Sequence, residues 1–191
     1  ITRQDIQRMH SERRQVGAAP ATANRLVIMM RFIFNLALRW EVPGIKNNPT
    51  TNVALMPVNN KREFYLKPAQ ASALYESVCR SDNPMLKHIV PMLILTGARK
   101  REVLDAKWED FDFERRLWRI PTTKLGKPRH VPLSDGVMSL LTRMPRHPKS
   151  AWVFANPKTG RPYGSLYGSW DTARNRAGLK GFRMHDLRHS F

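Results

Sequence analysis

Between Ala21 and Trp40 the apolar residues Leu26, Met29, Met30, Ile33, Phe34, Leu36 and Leu38 return at helical spacing, with Thr22, Asn24, Arg25 and Arg31 among them. That recurrence predicts a helix with one apolar face and those four polar residues on the other. Residues 1 to about 15 read as a polar, basic helix, and Gly17-Ala18-Ala19-Pro20 separates the two. Val42-Pro43-Gly44 ends the second helix, Asn47-Asn48-Pro49 is a further turn, and residues 54 to 66 read as a linker. Pro68 then opens a helix that runs to about Arg80. Met85 to Leu95 is a strongly apolar helix that Pro91 should kink, and Thr96-Gly97 stops it. Arg99 to Ala106 reads as a short helix. Strand patterns follow at Lys107-Trp108, 116–120 and 129–133, the last two joined by a tight turn at Leu125-Gly126. Ser134 caps a helix to about Met144, Trp152-Val153-Phe154 is extended, 167–177 is helical, and Met184 opens a last helix. The order describes a mostly helical α+β chain with a small antiparallel sheet. Met29, Met30, Met92 and Met138 are expected in its core.

Composition narrows the partners. Lys and Arg number 33 against 15 acidic residues, for a net charge of +18 and a pI near 11.1. A globular chain this basic meets a polyanion, most commonly nucleic acid, with an anionic membrane surface as the rival. No uninterrupted apolar run reaches the ~18–20 residues a membrane span needs; the most apolar stretch, Leu26 to Leu38, is broken by Arg31 and Asn35. No secretory signal is evident at Ile1-Thr2-Arg3-Gln4, which looks like an internal start. The single cysteine, Cys79, excludes an internal disulfide framework and fits a reducing compartment. No His, Cys or Asp cluster has metal-ligand spacing, and no cofactor or metal is expected.

Three short stretches carry candidate chemistry: Leu95-Thr96-Gly97-Ala98-Arg99-Lys100-Arg101-Glu102, Thr123-Lys124-Leu125-Gly126-Lys127, and Met184-His185-Asp186-Leu187-Arg188-His189-Ser190-Phe191. Phosphoryl transfer needs positive charge at the non-bridging oxygens, a nucleophile, and a proton for the leaving oxygen. Arginine suits the first task, because its planar fork donates bidentately and stays charged. Arg99 follows a helix break, Lys124 sits in a hairpin turn from which a long side chain can swing, and His185 and Arg188 share one helical face. Taken singly, each has an ordinary explanation: a solvated charge, a common turn, a surface pair. Order and spacing lift them together.

In that order the chain resembles the tyrosine recombinases of the phage-integrase family. The resemblance covers nearly the whole chain. It implies an incomplete helical core-binding domain at residues 1–58 and a catalytic domain at 59–191. It matches Arg99 and Arg188 to the family's two active-site arginines. Lys124 matches the general acid on the leaving 5′ oxygen, His185 the histidine that manages the tyrosine proton, and Glu102 a supporting acid. Thr22, Asn24, Arg25, Arg31, Lys100 and Arg129 become expected DNA contacts, with Arg101, Lys127, Arg161 and Arg183 as further groove candidates. The implied reaction is transesterification through a 3′-phosphotyrosyl intermediate. The implied partners are duplex DNA and, in the intact protein, a homotetramer, in the cytoplasm of a bacterial or phage-infected cell. Tyr65, Tyr75, Tyr163 and Tyr167 all precede the His-x-x-Arg box, so the family's nucleophile is expected downstream of Phe191. A non-catalytic duplex-binding regulatory module is the alternative; a metal-dependent nuclease is disfavoured for want of a carboxylate cluster.

Overall fold

The computed structural model describes residues 1–59, 64–121 and 126–190. The chain divides into two compact units, Ile1–Arg62 and Glu63–Phe191.

The first unit is built on two helices, α1 (Arg3–Gln15) and α2 (Pro20–Arg39), packed on each other. Thr2 caps α1: its hydroxyl accepts from the Asp5 N–H at 3.2 Å, and the Asp5 carboxylate accepts from the Thr2 N–H at 2.8 Å. Pro20 starts α2, where its missing N–H costs nothing. Ile6, Val27 and Val53 form a small core, with Met9 and Met30 at its edge. By length and a mean hydropathy of 1.3, α2 is the one described helix that would suffice to cross a membrane. Here one of its faces is instead packed against α1, burying Ala23, Asn24 and Val27. Met29 departs from the core expectation at 52% exposed, beside Ile28, Phe32 and Ile33. The unit supplies a packing partner for only one side of α2.

The second unit holds the larger core. Helices α3 (Pro68–Cys79) and α4 (Leu86–Thr96) pack together, and α3 also meets α7 (Tyr167–Arg176). Helix α4 buries Leu86, Ile89, Val90, Met92 and Leu93. It runs through Pro91, which removes the hydrogen bond to the carbonyl of Lys87, an exposed residue. After the short α5 (Lys100–Leu104), residues 108–110 form a 3-10 turn where a strand was expected, although Lys107 bridges Trp152. Three antiparallel strands follow in the order β1 (Phe111–Asp112), β2 (Leu117–Ile120), β3 (Arg129–Pro132). In the β2–β3 register Ile120 faces Arg129, Arg119 faces His130 and Trp118 faces Val131. Trp118, Ile120 and Val131 are buried, so this set of alternate residues looks into the core; Arg119 and His130 look out. Helix α6 (Asp135–Arg143), capped by the Ser134 hydroxyl, packs on α4. The last described element is a 3-10 turn, Asp186–Ser190, rather than an α-helix, and it too packs on α4.

Candidate active site

The turn at the end of α4 aims Arg99. Gly97 takes the left-handed conformation, φ 57°, and its N–H donates to the Leu93 carbonyl at 3.1 Å, a glycine helix end. The Thr96 hydroxyl donates to the Met92 carbonyl at 2.6 Å and accepts from the Ala98 N–H at 3.3 Å. Together these bonds fix the chain's exit so that Arg99, extended at φ −72° and ψ 147°, caps α5.

Glu102, one turn further on, has a side chain only 7% exposed. Burying a carboxylate is costly unless charges and donors meet it. Three do. Its Oε2 accepts from the Arg99 N–H and from Arg129 Nη2, each at 2.8 Å, and its Oε1 accepts from Arg99 Nη1 at 2.8 Å. Burial pushes the Glu102 pKa up, but the Arg99 N–H and the Arg129 and Arg99 guanidiniums outweigh it and hold the carboxyl below its ordinary range. Arg99 and Arg129 remain 38% and 34% exposed at their side chains. The cluster of two cations and one anion carries net positive charge, and the rest of the Arg99 fork is left for an incoming anion.

The second expected arginine stands on the 186–190 turn. Asp186 is 1% exposed and fixes the start of that turn. Its Oδ2 accepts from the Arg183 N–H at 2.9 Å, and Oδ1 accepts from Arg183 Nη2 at 2.7 Å. Leu187 is fully buried, and the Ser190 hydroxyl accepts from the Leu66 N–H at 2.8 Å. Between these anchors Arg188 is half-buried and His185 exposed, their backbones joined by the Arg188 N–H to the His185 carbonyl at 3.2 Å. Arg99, Glu102 and Arg129 are thus bonded directly, while His185 and Arg188 ride on a turn packed against α4, the helix that leads into Arg99. Lys124 lies outside the described residues.

The expected DNA contacts divide. Thr22, Arg25 and Lys100 are exposed. Asn24 is corrected: it is buried, its Oδ1 accepts from the Met56 N–H at 2.9 Å and its Nδ2 donates to the Met56 carbonyl at 2.8 Å. With Oδ1 so fixed as the acceptor, His10 Nε2 at 2.9 Å is the donor. Arg31 is half-buried, its Nη2 donating to the carbonyls of Thr50 at 3.4 Å and Val53 at 3.2 Å. Asn24 and Arg31 lie two helical turns apart with buried Val27 between them, so they share the packed face rather than the polar one. Arg129 pairs with Glu102, and the groove candidates Arg101 and Arg183 pair with Asp105 and Asp186. Arg129 was open to sequence reasoning: strand alternation puts it on the face of Val131, which is the core face.

Comparison with known proteins gives the family. The family model described as the phage integrase family matches residues 65–191, the stretch that contains Arg99, Glu102, Lys124, Arg129, His185 and Arg188. The prophage integrase IntF of Escherichia coli K12 is 31% identical over 196 residues, covering 96% of this chain and 41% of that protein. A shufflon-specific DNA recombinase of Escherichia coli is 29% identical over 173 residues, covering 89% and 43%. The chain therefore spans about two fifths of the length of these relatives. Among solved structures, a lambda integrase tetramer bound to a Holliday junction superposes with a TM-score of 0.80 at 20% identity, over 100% of this chain and 58% of that one. The Tn1549 transposon integrase in complex with circular intermediate DNA gives 0.76 at 19%, over 100% and 71%. The chain belongs to the phage integrase family, the tyrosine recombinases.

Proposed function

We propose that this chain is the phosphate-gripping portion of a site-specific DNA recombinase that breaks and rejoins duplex DNA by transesterification. The observation that carries the reading is Arg99, held at the end of α4 by buried Glu102 with donors to spare, within a stretch that matches the family. Arg99 and Arg188 hold the non-bridging oxygens of the scissile phosphate, where negative charge grows in the transition state. A tyrosine outside these 191 residues attacks phosphorus, forming the tyrosyl–phosphate bond as the bond to the 5′ oxygen breaks. Lys124 delivers the proton that the departing oxygen takes up, and His185 manages the proton of the attacking hydroxyl. Bond energy is kept in the phosphodiester, so rejoining needs no nucleotide cofactor. Duplex DNA is the substrate, and the working assembly is a tetramer of this protein on DNA.

The test is covalent capture. The protein expressed from its full reading frame is mixed with a nicked duplex whose short fragment diffuses away on cleavage. A protein–DNA adduct stable to denaturing gel electrophoresis is expected. Arg188→Ala should slow its formation by ~10²–10³, the usual effect of one preorganised donor, and Lys124→Ala by ~10²–10⁴ with affinity spared. An adduct mapped to Tyr65, Tyr75, Tyr163 or Tyr167 would overturn this placement of the chemistry.

A further inference from the structure

Among the described residues, Arg129 is the basic residue that strand pairing brings from elsewhere in the chain onto the carboxylate beneath Arg99. It stands 27 residues from Glu102 in sequence, on β3, and donates to Glu102 Oε2 at 2.8 Å. The same oxygen takes the Arg99 N–H, while the other takes the Arg99 guanidinium. Each Glu102 oxygen is therefore committed, and the carboxylate can neither turn nor leave without breaking a charged bond in a site where its side chain is 7% exposed. The Arg99 guanidinium has no second hydrogen-bonded partner among the described residues, so its direction is set by Glu102, and that of Glu102 is set in part by Arg129.

Resting on the recombinase reading above, we infer that Arg129 is a positioning residue: through Glu102 it fixes the direction of the Arg99 guanidinium toward the scissile phosphate, and it does not itself contact DNA. Without Arg129, Glu102 keeps its burial but loses a cation and a donor. The carboxylate then protonates more readily, and a protonated Glu102 releases its charged hold on Arg99. The rate consequence belongs to the chemical step, because the phosphate is still bound by other cations but is gripped in the wrong geometry.

The experiment follows adduct formation by the full-length protein under single-turnover conditions at saturating nicked duplex, across pH, with affinity measured by fluorescence anisotropy against salt. For Arg129→Gln the expected result is a rate lowered roughly 10- to 100-fold, the usual effect of removing an outer partner of a site residue. Affinity and its salt slope should be unchanged, and the acid limb of the rate profile should move to higher pH. Glu102→Gln combined with Arg129→Gln should be no slower than Glu102→Gln alone, since both act through one carboxylate. Arg129→Lys keeps a cation over Glu102; it should restore most of the rate and place the acid limb between wild type and the Gln variant. It carries the test if Arg129→Gln does not fold. A salt slope reduced by about one with the rate intact would mean that Arg129 meets a phosphate directly, overturning the inference. So would an acid limb unmoved in both variants. If the unsubstituted protein forms no adduct, the recombinase reading itself falls, and the positioning role with it.

Discussion

Replacing Asn24 by alanine separates two accounts of the first helical unit. Asn24 lies on α2 yet is 6% exposed, and its amide pairs with both backbone groups of Met56 while accepting from His10. It thereby ties α1, α2 and the segment at Met56 together. Truncation removes three hydrogen bonds and strands the His10 N–H and the Met56 N–H and carbonyl. Net values near 1 kcal/mol per bond, with a penalty for each buried group left unmet, put the loss at about 3–5 kcal/mol. For a unit this small that is a large share of its stability. The assay is amide hydrogen exchange with urea unfolding on the same sample. Protection of the Met56 amide should fall by at least ~100-fold, since about 1.4 kcal/mol is tenfold, and the unfolding midpoint of the first unit should drop while the second unit is unaffected. If Asn24 instead served DNA, alanine would leave the midpoint within about 0.5 kcal/mol of wild type and weaken binding. That pair of results would refute the packing argument.

Two more outcomes follow from charge and burial. With 33 Lys and Arg residues, contact with about six to ten phosphates should cost ~10³–10⁵ in duplex affinity between ~50 and ~200 mM salt; a flat anisotropy titration would count against DNA as partner. His88 on α4 has both ring nitrogens buried with no hydrogen-bond partner among the described residues, and burial, with the charge of Lys87, holds its pKa below the ordinary 6.5. The unfolded chain therefore binds the proton more readily. Stability is full above pH ~6.5 and falls below it, by at most about 1.4 kcal/mol per pH unit for one proton. His88→Leu should flatten that slope between pH ~6.5 and 5 in thermal unfolding; an unchanged slope would assign it to another group.

How much of this could be read beforehand depended on whether the controlling interactions were local. The Thr96-Gly97 break, the cap at Ser134 and the alternation of β2 each lie within a few residues, so spacing revealed the turn that aims Arg99 and two of the three strands. Asn24 and Arg31 looked like surface polar residues because their partners, Met56, Thr50 and Val53, are remote in sequence. The exposure of Met29 was hidden for the converse reason: a helical pattern shows that a face is apolar, not that a neighbour covers it. Strand β1 is two residues long, too short for alternation to register. Glu102 was legible as a supporting acid through the family resemblance, but its second cation arrives from β3.

That arrival makes the hairpin register a quality check on the site. Residues of β3 alternate between the two faces, so slipping β3 by one position against β2 would turn His130 inward in place of Arg129 and throw Val131 out to solvent. A chain folded in the wrong register would keep the local Arg99–Glu102 pair, which forms within a single turn, yet would leave the buried carboxylate one cation short. The error therefore carries its own energetic penalty, in exposed valine and under-neutralised glutamate together. Molecules that survive it are those whose sheet and phosphate grip are both correctly set.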